Sequence, residues 1–280
     1  MTTVVDAHLH LWDPGRLEYP WLAELPALNR PIGPDELATG GHEVTAAVFV
    51  EAGRADRQAF EEVAWIEQVA ARWPVIRAVV AHAGLERGAD AADDVRRLAS
   101  IPLVRGVRRN VQDEGPGFAV DESYVTGLRL LADHGLTADL CVRHHQLPEV
   151  VELVGRVPEV TFVLDHLGKP AVADAVTEPW REHLSRLAGH PNVVCKLSGL
   201  TTEADWAGWR TEHVLPYLRH ALAEFGPERC MFGSDWPVAT LATPYGRWVD
   251  VVVEALDGRP PAEVEQVLRG TATRVYRLPA

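Results

Sequence analysis

Residues 4–14 read VVDAHLHLWDP, and how this stretch continues decides between two folds. Residues 4–9 are a short apolar run of the kind that forms a buried strand. An open, doubly wound sheet would follow such a strand with a glycine-rich turn that cradles phosphate. No such turn is present, because the strand passes directly into His10, Trp12, Asp13 and Pro14. Comparable runs recur at 44–51, 76–82, 104–108, 137–142, 160–165, 193–198 and 230–234. Segments of helical periodicity follow most of them, at 57–72, 91–99, 122–134, 147–156, 179–188, 209–225, 245–256 and 261–276. In the first of these, Phe60, Val63, Ala64, Ile66, Val69 and Ala70 make an apolar stripe. Alternation of this kind in a chain of 280 residues predicts an α/β fold, a (β/α)8 TIM barrel. The segment 13–42 is long and holds Pro14, Pro20, Pro26, Pro31 and Pro34, so it is expected to be a functional loop after strand one, a lid over the barrel mouth. No boundary is evident elsewhere, and residues 1–280 are expected to form a single domain.

Hydrophobic residues make up 47% of the chain and charged residues 24%, which suits a soluble globular protein. Lys plus Arg is 27 and Asp plus Glu is 40, a net charge of −13. So acidic a chain lacks the cations that bind phosphate backbones, so neither nucleic acid nor an anionic membrane is an expected partner. Three widely spaced cysteines, Cys141, Cys195 and Cys230, do not make a disulfide framework. The N-terminus lacks a basic region followed by an apolar core, and no apolar run is long enough to span a bilayer. A cytoplasmic location is therefore expected. A homo-oligomer is left open.

In a TIM barrel the C-terminal ends of the strands carry the active site. Here those ends offer His8 and His10, Glu51, His82, Arg108, Arg143, Asp165-His166, Lys196 and Ser198, and Ser234-Asp235. His8 and His10, two apart on a strand, point to the same side and can hold a metal ion or polarise one oxygen. Asp6 is expected on their face as a ring-orienting neighbour. His166 is expected in the same cavity, with Asp165 turned the other way as structural support. Asp235 beside imidazoles can be a metal ligand, a general base for water, or both. Arg108, rather than Arg109, is read as the inward arginine that meets carbonyl or carboxylate oxygens. Lys196 and Ser198 alternate onto one face and are expected to reach substrate oxygens. His82 is grouped with the substrate contacts, with an interior hydrogen-bond network equally open for it and for Glu51. Arg143 is assigned to neither wall nor loop.

Taken together, VVDAHLHLWDP, FVEAG, GVRRNVQDE, QLPEVVELV, FVLDHLGKP, NVVCKLSGL, MFGSDWPV and GTATRVYRL resemble the amidohydrolase superfamily, in its branch related to amidohydrolase 2. The resemblance runs from residue 4 to about residue 278. DHLGKP with GSDWP is its specific part. Within that branch the chain is similar to sugar lactonases of the L-fuconolactonase and L-rhamnonolactonase-like group. The resemblance implies a site on His8, His10, His166 and Asp235, with Arg108 as a substrate contact. It implies one divalent ion, zinc or manganese, or a metal-independent reaction. Binuclear members carry a carboxylated lysine after strand four and a histidine after strand five. Here Arg108-Arg109 and Val142-Arg143 stand there, so a two-metal centre is not expected. The family tail reads Asn-Ala where this chain has Thr271-Ala272, for which a modest packing change is expected.

The implied reaction is the opening of a sugar-derived lactone. Asp235 would activate water, the histidines would polarise the carbonyl, and Trp236 would form a stacking wall. The alternatives are a decarboxylase or another hydrolase of the same superfamily, and an inactive barrel that binds a sugar acid.

Overall fold

A computed structural model describes residues 1–279. Eight strands, β1 (Thr3–Leu9), β2 (Glu43–Val50), β3 (Ile76–Ala81), β4 (Val104–Arg108), β5 (Thr137–Leu140), β6 (Phe162–Leu164), β7 (Val193–Leu197) and β8 (Cys230–Phe232), pair in parallel in chain order. Seven helices follow β2 to β8 in turn: α1 (Ala59–Arg72), α2 (Ala92–Ala99), α3 (Glu122–Ala132), α4 (Leu147–Arg156), α5 (Trp180–Ala188), α6 (Thr211–Phe225) and α7 (Tyr245–Ala255). This is the TIM barrel, with β1 followed by two short 3-10 turns instead of a helix. No helix among the described residues is long and apolar enough to cross a membrane.

The barrel closes just beyond the strands it joins last. His10 N–H donates to the Trp236 carbonyl at 2.8 Å, and Asp235 N–H to the His8 carbonyl at 2.8 Å. The seam between β1 and β8 is thus built from residues singled out for chemistry. Outward residues such as Phe49, Phe162 and Leu197 pack under the helices, and Val48, Val80, Val163, Val194 and Met231 fill the barrel. The barrel floor is completed by the C-terminal segment, whose Ala272, Val275 and Tyr276 join that interior cluster.

The expected helix 261–276 is interrupted by a π turn over Gln266–Gly270. At this break Thr271 receives a hydrogen bond from the Gln266 side chain and donates one to the Pro227 carbonyl, tying the tail to the approach to β8. The segment 13–42 is a packed wall as much as a lid. Trp12 and Trp21 meet edge to face at 5.1 Å, and Leu17, Tyr19, Leu22, Leu28 and Ile32 are buried. Trp21 Nε1 donates to the Ala52 carbonyl at 2.8 Å, fixing this wall to the end of β2.

Strand alternation is broken at two places that matter. A register shift between Asp6 and Leu9 turns His8 inward while Asp6 stays on the helix side. Asp6 therefore does not share the histidine face. It accepts from the backbone N–H groups of His8 and Ser234 and from the Tyr245 hydroxyl of α7. Beyond β6, Asp165 keeps the inward direction set by Val163. His166 and Leu167 then adopt left-handed backbone, at φ 53 and 55°. That turn brings His166 inward as well, so the expected opposition of Asp165 and His166 is corrected: both reach the interior.

Candidate active site

At the C-terminal end of the barrel is a cavity of about 600 Å³. His10, His166, Asp235 and Arg108 line it together with Trp21, Arg54, Gln112, Cys141 and Lys169. His8 lies directly behind, fully buried. His8 Nε2 is 3.1 Å from His10 Nε2. Asp235 Oδ1 is 3.5 Å from His10 Nε2, 3.8 Å from His8 Nε2 and 3.9 Å from His166 Nε2. Residues from β1, from the turn after β6 and from the turn after β8 thus face one another across a few ångströms.

Each of these groups is fixed from behind. His10 Nδ1 donates to the Val50 carbonyl at 2.8 Å, leaving a lone pair on Nε2. His166 Nδ1 pairs with the Ser198 hydroxyl at 2.8 Å. Gly199 makes room for that ring: a Cβ there would lie 2.4 Å from His166 Nδ1, and the backbone sits at φ 64°. Gly233 does the same for His8, whose Cβ would be 2.9 Å from an added carbon. Asp235 itself takes left-handed backbone, φ 58°. A non-glycine residue held there is a strained conformation of the kind that aims functional side chains.

Burial lowers the His166 imidazole to about 4, against the pull of Asp235 and Asp165, and it holds His8 well below the ordinary histidine value. Both rings are neutral at neutral pH. Burial alone would raise the Asp235 carboxyl, but the surrounding histidines, His166 foremost, hold it well below the usual carboxylate range. Asp235 is therefore an ionised acceptor beside the neutral His8 and His166 rings.

A divalent ion would suit this donor set. Ligand atoms about 2.0–2.2 Å from a tetrahedral zinc lie about 3.4 Å from one another. His8 Nε2, His10 Nε2 and Asp235 Oδ1 are 3.1, 3.5 and 3.8 Å apart. The same three residues form one candidate metal cluster, and His8 with Asp165 and His166 forms another.

Other expected contacts are placed differently. Lys196 is fully buried below the cavity, bound to Asp139 at 2.6 Å, to Asp165 at 2.9 Å and to His8 Nδ1 at 3.1 Å. Its substrate role is corrected to an interior one, because two carboxylates outcompete any ligand for its ammonium. Ser198 is spent on His166. His82 lies beside Asp56, at 3.5 Å, behind the wall. Trp236 is buried in the seam and does not line the cavity. Arg108 does line it, yet its guanidinium donates to Glu51 Oε1 at 2.8 Å, the Glu51 carbonyl at 2.6 Å and Asp165 Oδ2 at 3.1 Å. Burial would raise Glu51, but Arg108 and Arg54 pull it down to about 2, so the Glu51–Arg108 pair is ionic. Arg109 points away to Glu86 and Glu114. Arg143 is exposed and pairs with Asp113.

The sequence reading passed over Lys169, Gln112, Arg54 and Trp21. Lys169 Nζ donates to Gln112 Oε1 at 2.6 Å and faces Glu203 at 3.8 Å. The signal for Lys169 was the Gly168-Lys169-Pro170 turn, read only as punctuation. For Arg54 it was Gly53, whose bend carries the next side chain back over the barrel.

A family model described as amidohydrolase matches residues 5–278. The L-fucono-1,5-lactonase of Burkholderia multivorans is 38% identical over 98% of this chain and 96% of its own length. The L-fucono-1,5-lactonase of Burkholderia ambifaria is 33% identical over 99% of this chain and 97% of its own. A crystal structure of an amidohydrolase from Burkholderia multivorans with bound zinc superposes with a TM-score of 0.87 at 36% identity, covering 99% of this chain and all of that one.

Proposed function

This chain belongs to the amidohydrolase family, and we propose that it is a hydrolase that opens a sugar-derived lactone, with Asp235 as general base. The observation that carries the reading is an ionised Asp235 carboxylate within 3.5–3.9 Å of three imidazole nitrogens at the wall of a cavity large enough for a small molecule. Full-length similarity to two L-fucono-1,5-lactonases supports the substrate class.

Asp235 accepts a proton from water as the water oxygen attacks the lactone carbonyl carbon. The ring C–O bond then breaks, and the proton held by Asp235 passes to the departing ring oxygen. The product is an open hydroxy acid. His8, His10 and Asp235, with His166 beside them, would hold a divalent ion, which supplies Lewis acidity toward the carbonyl oxygen. His166, fixed by Ser198, presents Nε2 to the same oxygen. Arg108 acts mainly through its charge, since Glu51 and Asp165 occupy three of its N–H groups.

Substrate hydroxyls are met by Lys169, Gln112, Arg54 and Asp56, and carbon faces by Trp21, Leu25 and Val238. Three cationic side chains at the wall of an otherwise acidic molecule suit a reaction whose product is a carboxylate. The decisive experiment is a pH-indicator assay of acid release across a panel of aldonolactones, repeated after chelation and after zinc is restored. Fastest turnover of a 1,5- or 1,4-aldonolactone is expected. Carbon dioxide release from an aromatic acid, with every lactone inert, would replace this reading with decarboxylation.

A further inference from the structure

His8 is held between partners of opposite chemistry. Its Nδ1 is 3.1 Å from Lys196 Nζ and 3.2 Å from Asp165 Oδ1. An ammonium only donates, and a carboxylate only accepts. Lys196 is locked in place by Asp139 and Asp165, so both partners are permanent.

The other edge of the ring faces His10 Nε2 at 3.1 Å. His10 has one tautomer available, because its Nδ1 proton is committed to the Val50 carbonyl and its Nε2 carries a lone pair. Two bare lone pairs at 3.1 Å repel, so something positive must lie between them. Arg108 Nη1 comes within 3.5 Å of His8 Nε2, long for a hydrogen bond, and it also donates to Asp165 at 3.1 Å. Two arrangements place a positive centre between the rings: His8 Nε2 carries a proton and donates it to His10, or a cation is shared.

Each case dictates what His8 does at Nδ1. With Nε2 protonated, Nδ1 is bare and accepts from Lys196. With a shared cation, Nε2 is bare, and Nδ1 carries the proton and donates to Asp165. The ring is neutral in both states: one proton leaves Nε2 as one arrives at Nδ1.

We infer that Lys196 is a positioning residue that lets His8 exchange between these two tautomers, so that one His8–His10 geometry serves the barrel with and without a divalent ion. The inference rests on reading His8 and His10 as metal ligands. Lys196 supplies the donor that the metal-free state needs. It opposes the loaded state, because it competes for Asp165 and places a fixed positive charge behind the ligand ring.

The test uses full-length 15N-labelled protein, stripped with chelator and then loaded with Zn2+. Long-range 1H–15N spectra report which ring nitrogen carries the proton, and His8→Gln assigns the His8 signals. His8 Nδ1 is expected bare in the stripped protein and protonated after zinc loading. Zinc bound with the same His8 tautomer in both samples overturns the inference and leaves the ligand reading standing. No zinc binding at all overturns both. Competition against a chromophoric chelator gives a second readout. Lys196→Met is expected to bind Zn2+ about tenfold more tightly than the wild-type protein, within the range by which partners of ligating histidines tune affinity. Equal or weaker binding overturns the inference. Should Lys196→Met fail to fold, the wild-type spectra decide alone.

Discussion

Two polar layers lie one above the other in this barrel, and they are built differently. In the upper layer, Asp235 and three imidazoles meet at 3.5–3.9 Å and face a cavity. In the lower layer, Lys196, Asp139 and Asp165 are fully or almost fully buried and meet at 2.6–2.9 Å. Tyr276, from the C-terminal segment, adds a donor to Asp139 at 2.7 Å. Short contacts between buried opposite charges keep the lower layer out of a substrate's reach. Longer contacts leave the upper layer room for water, a carbonyl or an ion. The difference separates a scaffold of charges from a set of charges available for chemistry.

The comparison can be broken from the top. Asp235→Asn keeps the shape of the side chain and removes the base. Lactone turnover is expected to fall by about 10³-fold, within the range for loss of a positioned base, with an unchanged melting temperature. Near wild-type turnover, measured by acid release, would take Asp235 out of the chemistry. Breaking the lower layer should look different. Asp139→Asn leaves Lys196 short of a carboxylate in a dry interior, at a cost of about 3–5 kcal/mol. A drop of roughly 6–15 °C in the calorimetric Tm is expected. A variant as stable as the wild type would mean the layer is not a scaffold.

These two layers also mark how far the sequence could be read. The convergence of His8, His10, His166 and Asp235 on one rim follows from counting strands, because in this barrel every strand end faces the same mouth. Which neighbour faces inward did not follow. Simple alternation puts Asp165 and His166 on opposite sides, and the left-handed turn at His166 overrides it. The register shift in β1 similarly separates Asp6 from His8. Lys196 looked like a substrate contact because its partners, Asp139 and Asp165, come from other strands and no local pattern pairs them. A lysine facing inward on a strand is equally consistent with both fates until the depth of its layer is known.

A subtler test lies between the layers. Gly199→Ala would push a carbon against the His166 ring. Turnover is expected to fall by about 10²-fold, the cost of displacing a reacting group by an ångström, with the fold retained. Unchanged kinetics would show that His166 tolerates displacement.

The smallest effect concerns α1, whose Glu62 accepts from the Ala52 N–H just beyond β2. Burial, reinforced by repulsion from Glu51, raises the Glu62 carboxyl to about 8. The folded state therefore keeps a proton that the unfolded chain releases above its ordinary value of 4.5. Between those values the native state binds more protons, so stability falls as pH rises toward 8. Glu62→Gln, which is neutral throughout, should flatten that decline in thermal melts from pH 5 to 9. An identical pH slope in both proteins would show that Glu62 is already ionised in the fold.

The seam that closes the barrel has a consequence for how the protein is made. His8 and Asp235 are joined through their own main chains, although 227 positions separate them in the sequence. A nascent chain emerging from the ribosome has its two histidines early and waits for the last strand to bring the carboxylate. On the proposed chemistry, activity is therefore withheld until Asp235 has been made, and a product terminated before it is silent from the outset.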